Sequence, residues 1–363
     1  MQNRPKGLSN FQITAIVTQS VIGLTIMFLP RRAAVYAGID GAFATFAAGL
    51  LSIAMAGVYI ILSRRFPKQT IIEYAQQILG KYLGLAYGTF IALYTLLTAS
   101  FILRGFADAM KILLLPRTPL EIIMICMLLI CLYCIHGGIV TIARICEIFL
   151  LPITVVIGTT IIFNLPDVQL FRYRESFSNG LRPIVMGIAN NMLAYQGYEV
   201  LFFLLPFMNN RKKALQAGTA GMLFPIFVYS SLVFMAIGVI GTLPTAELIY
   251  PTIHLARRIG TDFLERFDVF FIVFWILSVF TSIVVYLYMS SISITRLLGL
   301  RNYKPFIFIL IPVCYAISIL PQNISQINVM SDIMNYSGIF LIASSIPLLV
   351  LSFVRKKGEG KNG

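Results

Sequence analysis

Two stretches decide the fold: Ser20-Val21-Ile22-Gly23-Leu24-Thr25-Ile26-Met27-Phe28-Leu29-Pro30, and Asn190-Asn191-Met192-Leu193-Ala194-Tyr195-Gln196-Gly197-Tyr198-Glu199-Val200 running on through Leu201 to Leu204-Leu205-Pro206. Each lies in a long apolar run, carries a glycine near its middle and closes on Leu-Pro. The second also gathers Asn190, Asn191, Tyr195, Gln196, Tyr198 and the acid Glu199, which hydrocarbon penalises unless they face protein or a wet cavity. Close packing of neighbouring helices is the other use of a membrane glycine. The pairing of the two stretches, with a charge beside one glycine, favours a break. A helix broken at mid-membrane frees N–H and C=O groups that lipid cannot satisfy. Both stretches are therefore expected to be interrupted helices whose bare peptide ends face a common cavity.

Outward from these stretches, the chain reads as ten apolar spans: Phe11–Pro30, Ala42–Leu62, Tyr82–Leu103, Leu120–His136, Ile145–Leu165, Pro183–Phe207, Leu215–Leu243, Val269–Thr295, Pro305–Leu320 and Ile333–Val354. Ten spans of about 20 residues use roughly 200 positions, which suits a chain of 363 residues that is 58% hydrophobic. Only 12% of residues are charged, about half the share of a soluble domain. The expectation is an all-α polytopic membrane protein forming a single transmembrane domain over 1–363. An odd number of spans per half forces the halves, about 11–165 and 183–354, into inverted topology, so the first and sixth helices correspond. The apolar start imitates a signal peptide. It is too long for one and shows no small-x-small site before Pro30-Arg31-Arg32, so it is expected to stay as the first span. Residues 69–80 alternate faces at helical spacing and stop at Gly80, as a surface amphipathic helix would. Residues 244–268 are long and of mixed charge, suiting an outer cap.

Charge sidedness sets the orientation. With the N-terminus inside and the side flipped at each span, 17 of the 28 basic residues fall inside, Arg4, Lys6 and Lys361 among them, against three of the 14 acids, Glu73, Glu147 and Glu359. Both termini are expected to be cytoplasmic. The net charge of +14 is thereby a membrane signature and not a nucleic-acid surface, so no nucleic-acid partner is expected beside the lipid bilayer.

Chemistry-bearing motifs are few. Cys126, Cys131, Cys134, Cys146 and Cys314 all sit in apolar runs, as reduced, unpaired side chains. Cys131-x-x-Cys134-x-His136 lacks a second ligand pair, since the other histidine is His254 in an outer loop. There is no phosphate-binding loop, dinucleotide fingerprint or nucleophile elbow, and no enzyme activity, metal or cofactor is expected. The half-helix after Gly23 points its positive dipole end and free amides at the midplane, a place for a carboxylate. Carbonyls near Tyr195, ahead of Gly197, suit an ammonium group. A small zwitterionic ligand such as an amino acid would satisfy both. Backbone at Gly23, Leu24 and Thr25 is expected to hold its anionic end. Tyr198, Ser282 and Tyr286 are expected to line the side-chain pocket, and Thr98, one turn from Tyr94, to face it, with helix-face packing the alternative for that pair. Glu199 is expected to act as a gating or ion-sensitive acid. Arg144 and Glu147, at i and i+3, can pair at the interface.

Here the chain resembles the amino acid/polyamine/organocation transporter superfamily, in Ile22-Gly23-Leu24-Thr25-Ile26, where Thr25 stands in place of the usual second glycine. It resembles more closely the B subunit of GerA-type spore germinant receptors, in Gly23…Phe28-Leu29-Pro30, Thr70-Ile71-Ile72-Glu73-Tyr74…Ile78-Leu79-Gly80-Lys81 and Tyr195-Gln196-Gly197-Tyr198-Glu199. The resemblance implies a LeuT-like 5+5 inverted repeat. It also implies a nutrient-recognition subunit in the spore inner membrane, with a membrane-anchored A subunit and a lipoprotein C subunit as partners. Sodium-coupled relatives hold an ion at an adjacent Thr/Ser pair, making Thr281 and Ser282 its candidates; hydroxyls bonded back to their own helix are the alternative. Proton-coupled relatives place a lysine in the fifth span, which this chain lacks. An autonomous amino acid permease working by alternating access is the rival function.

Overall fold

A computed structural model describes residues 7–178, 180–260, 266–355 and 357–358. The expected inner charges Arg4, Lys6, Lys356, Glu359 and Lys361, and residues 261–265 of the expected cap, lie outside the described residues. No strand occurs among the described residues; one isolated bridge joins Leu8 to Met208.

The first span is broken. Helix α1 (Asn10–Ile22) starts from a reciprocal cap, in which Ser9 Oγ accepts from the Gln12 amide at 3.1 Å and Gln12 Oε1 accepts from the Ser9 amide at 3.0 Å. It stops at Gly23. A turn over Thr25–Met27 follows, and α2 (Leu29–Ala37) resumes with Pro30 in its first turn, where a missing N–H costs nothing. Helices α3 (Gly41–Arg64), α4 (Ile71–Leu79), α5 (Lys81–Leu113), α6 (Leu120–His136) and α7 (Ile139–Asn164) complete the first half. The sixth span breaks likewise. After α8 (Leu181–Met192) come turns over Leu193–Tyr195 and Tyr198–Val200, hinged at Gly197, and then the short α9 (Leu201–Leu204). The chain continues through α10 (Ala214–Met235), α11 (Thr242–Glu247), α12 (Pro251–Arg257), α13 (Phe267–Leu297), α14 (Lys304–Ile319) and α15 (Ile324–Val354).

Among the described residues, six helical stretches are long and apolar enough to cross a bilayer: Leu29–Arg64, Lys81–Leu113, Ile139–Asp167, Arg211–Ile240, Phe267–Leu297 and Ser325–Val354. Shorter apolar helices cover Leu120–His136, Tyr198–Phe207 and Lys304–Ile319. With the broken first helix they make the ten-helix membrane protein the sequence predicts. The two broken helices sit at the centre: α1 packs on α7, α10 and α13, while α8 packs on α2 and α3.

Three helices outrun their expected ends, the fifth by starting at Ile139 ahead of Ile145. The third continues to Leu113 because Arg104 does not have to face lipid: its Nε pairs with Asp108 at 2.9 Å and its Nη1 donates to the Ser318 and Pro321 carbonyls. The tenth begins at Ile324 because Asn323 caps it, its Oδ1 accepting from the Gln326 amide at 2.9 Å. The expected Arg144–Glu147 pair is replaced. Glu147 accepts from Gln12 Nε2 at 3.3 Å, and Arg144 makes no ion pair among the described residues.

On one side of the bundle, α4 is closed by a Thr70–Glu73 capping box and Gly80, and buries Ile71, Ile72, Tyr74, Ala75 and Ile78. On the other lie α11 and α12, tied to the broken helix by Arg31 Nε donating to the Ala246 carbonyl at 3.1 Å.

Candidate functional site

The break in the first span leaves carbonyls and amides to account for, and the two sets fare differently. Distant side chains take the carbonyls. Tyr229 Oη donates to the Val21 and Ile22 carbonyls at 2.7 and 3.2 Å, Trp275 Nε1 to that of Gly23 at 3.0 Å, and Thr252 Oγ1 to that of Ile26 at 2.7 Å. The amides of Leu24, Thr25 and Ile26 find no acceptor among the described residues. At the second break the pattern is reversed: the Gly197 amide donates to Glu199 Oε2 at 2.7 Å, whereas no described group donates to the carbonyls of Ala194 and Tyr195.

The two breaks come together because Gly197 permits it. Its φ is +133°, and a Cβ there would lie 2.5 Å from the Ser20 carbonyl oxygen and 2.6 Å from the Val21 nitrogen. Backbone thus meets backbone, and only glycine has both the conformation and the room. Beside this contact lies a cavity of about 80 Å³, enough for roughly five waters. Its wall includes Ser20, Gly23, Leu24 and Thr25 from the first break and Leu193, Ala194 and Gln196 from the second. Thr98 and Phe101 of α5, Tyr286 of α13, and Ser331, Met334 and Asn335 of α15 close it. Of the residues with orphaned groups, Leu24, Thr25 and Ala194 therefore border one space.

Of the residues expected at the site, Gly23, Leu24, Thr25, Thr98 and Tyr286 stand on this wall. The others stand behind it. Tyr195 is buried with its hydroxyl on the Thr45 carbonyl at 3.0 Å, and Tyr198 packs its ring against Tyr59, 5.2 Å between centroids. Ser282 donates to the Gln19 and Ser278 carbonyls, so it braces the end of α1 instead of lining a pocket. Thr281 bonds back to the Leu277 and Ser278 carbonyls of its own helix. The Gln19 carboxamide lies between α1 and α13, accepting from Ser278 Oγ at 2.9 Å.

Glu199 sits below the cavity, 3% exposed. Its Oε1 accepts from Tyr94 Oη at 2.8 Å and from Tyr286 Oη at 2.6 Å, and its Oε2 holds the Gly197 amide. One carboxylate so joins α5, α13 and the second break, with Tyr286 spanning from acid to cavity. No cation pairs with it among the described residues.

Residues the sequence gives no sign of are Arg32, Ser331 and Asn335 on the wall, and Gln196, picked out as polar within its span, stands there too. The cavity continues towards α11 and α12 into a vestibule of about 500 Å³, sharing Leu24, Phe28, Arg32 and Phe101 with it. Tyr250 lines that vestibule, and burial, with Asp108 nearby, pushes its hydroxyl up to about 12.

A family model described as spore germination protein matches residues 7–327. Spore germination protein YndE of Bacillus subtilis (strain 168) is 28% identical over 97% of this chain and 98% of its own length. Spore germination protein A2 of the same organism is 28% identical, covering 97% of each chain. Spore germination protein GerLB of Bacillus cereus is 24% identical over 96% of this chain and 95% of its own. Among solved structures, MhsT in complex with L-phenylalanine superposes with a TM-score of 0.69 over 96% of this chain and 90% of that one, at 15% identity. That likeness is one of fold, the LeuT-like arrangement of ten helices with the first and sixth interrupted.

Proposed function

Because the chain belongs to the spore germination protein family, we propose that it is the nutrient-recognition subunit of a germination receptor, and that a zwitterionic amino acid-like nutrient binds between its broken helices. One observation carries this: Leu24 and Thr25, whose amides are unpaired, and Ala194, whose carbonyl is unpaired, border a single cavity. A carboxylate on the amides is favoured by the dipole of the half-helix behind them. An ammonium group on the carbonyls completes hydrogen bonds that are otherwise costly to leave unmade. MhsT, a chain of the same fold, has L-phenylalanine in its complex, which supports an amino acid here.

In this reading Gly23, Leu24 and Thr25 present the anion site, Thr98 and Tyr286 shape the pocket, and Gly197 keeps the breaks in contact. Tyr195, Tyr198 and Ser282 support the walls from behind. Glu199 senses occupancy through Tyr286. Thr281 keeps its hydroxyl within α13, and any ion dependence runs through Glu199. Binding shifts a conformational equilibrium that a membrane-anchored A subunit and a lipoprotein C subunit read out in the spore inner membrane.

The vestibule favours a second reading, an autonomous permease. It gives the cavity access from the α11–α12 side, while α1 is bonded to α10 through Thr14 and Thr18, on the Ala217 and Gly221 carbonyls, and to α13 through Gln19. One-sided access is what alternating access requires. Uptake of labelled amino acid by liposomes holding this chain alone would establish the permease.

Gly23→Val separates the site from the scaffold. A Cβ at Gly23 would lie 2.6 Å from Ser282 Oγ and 3.2 Å from Ser282 Cβ, with the Ser20 carbonyl oxygen at 3.9 Å, so a branched side chain is expected to crowd the cavity beside the amides. Spores carrying Gly23→Val should keep the protein at its normal level and lose nutrient-triggered germination. An unchanged nutrient response at normal protein level would refute the assignment of this site.

A further inference from the structure

The cavity wall divides into two chemistries. Phe28, Phe101, Ile102 and Met334 are apolar, whereas Arg32, Gln196, Ser331 and Asn335 are polar. The four polar side chains come from three separate elements: α2, the second break and α15. None of the four makes a side-chain hydrogen bond or ion pair among the described residues, and Gln196 Nε2 is buried without a partner. Helix α15 receives the Gln196 carboxamide at Gly338, where a Cβ would collide with it. Among the described residues no Asp or Glu stands on this wall, and Arg32 contributes its one charge. Asp332 and Asp108 line the vestibule above, and neither forms an ion pair with Arg32; Asp108 is engaged by Arg104.

Of the four, Gln196 has a buried nitrogen without a partner, which is costly until a partner supplies what it lacks, and Arg32, Ser331 and Asn335 stand free to meet a ligand where the cavity opens to the vestibule. A guanidinium supplies five donors and no acceptor, and it matches a carboxylate or carboxamide oxygen in geometry. A cationic ligand would be repelled by Arg32 and would meet no acid. An aliphatic side chain would leave all four groups unpaired.

We propose that Arg32, with Gln196, Ser331 and Asn335, is a specificity-determining cluster, and that the ligand is an amino acid whose side chain ends in a carboxylate or carboxamide. This rests on the amino-acid reading of the cavity. It adds which amino acids are accepted.

The test is equilibrium binding of L-aspartate, L-asparagine, L-alanine and L-lysine to the purified full chain in lipid nanodiscs. It compares the unaltered protein with Arg32→Met and Gln196→Leu. Expected is at least 10-fold tighter binding of aspartate or asparagine than of alanine, with lysine weakest. Arg32→Met should erase that preference and leave alanine affinity within about 3-fold, which also certifies the fold. Gln196→Leu should weaken asparagine by about 10-fold. Alanine binding as tightly as asparagine, or Arg32→Met weakening every ligand alike, would overturn the specificity cluster while leaving the amino-acid site standing. Failure of all four to bind would overturn the amino-acid reading itself, and the cluster with it.

Discussion

Gly197→Ala is expected to destabilise the folded protein more than any other single-methyl addition at the site. Two penalties combine. The backbone at φ +133° is one that L side chains rarely adopt, and the added Cβ would lie 2.5 to 2.6 Å from the Ser20 carbonyl and the Val21 nitrogen. Those are main-chain atoms of α1, so no rotamer change relieves the overlap. Strain and overpacking together cost about 3–5 kcal/mol. Much of the marginal stability of a folded chain is lost at that figure. The thermal midpoint of the detergent-purified variant should fall by many degrees, or the protein should fail to accumulate. Gly57→Ala in α3 is the control, since a Cβ there meets nothing within 4 Å. Its midpoint should stay close to that of the unaltered chain, because alanine is the better helix former. Equal midpoints for the two variants would mean that the broken helices do not touch at Gly197.

The second large effect belongs to Glu199. Removing its carboxylate strands three donors at once: Tyr94 Oη, Tyr286 Oη and the Gly197 amide. Each buried donor left unsatisfied costs about 1–3 kcal/mol, so Glu199→Ala should cost roughly 4 kcal/mol or more. Glu199→Gln should fall between. Its one oxygen can still serve both tyrosines, but its amide nitrogen would confront the Gly197 N–H, donor against donor. Since Tyr286 reaches from this acid to the cavity wall, both variants should also weaken ligand binding, by about 10-fold for Glu199→Gln. Thermal melts and binding isotherms on the same samples separate the two effects. A Glu199→Ala protein as stable as the unaltered chain would show that the three donors have other partners and that the acid ties nothing together.

How much of this was written in the chain depends on which residues are asked about. Both breaks could be read from Gly23 and Gly197, each followed by a Leu-Pro closure, because mid-membrane glycine beside polar side chains has few other uses. The expected Arg144–Glu147 pair and the ends of the third and tenth helices could not. They depend on Gln12, Ser318, Pro321 and Asn323, whose partners no local pattern marks. Site residues show the same division. Gly23, Leu24 and Thr25 belong to the break itself and reach the cavity wall. Tyr198 and Ser282 turn from it, since the direction of every side chain near a break depends on dihedral angles that composition does not reveal. Ser282 also had a nearer acceptor in the Gln19 carbonyl at 2.8 Å. Arg32, Ser331 and Asn335 gave no signal because each sits in a helix with no anomaly of its own. Only the packing of α15 beside the two breaks gives them a common purpose.

Ligand chemistry tests the broken-helix site most directly. An amino acid that binds the purified chain, L-asparagine or L-alanine, should be compared with its methyl ester and its N-acetyl derivative under the same conditions. If the amides at Leu24 and Thr25 hold the carboxylate and the Ala194 carbonyl holds the ammonium, each masked form should bind at least 100-fold more weakly, a loss of about 2.7 kcal/mol or more. Ester and N-acetyl forms that bind as well as the free amino acid would contradict recognition by the exposed peptide ends.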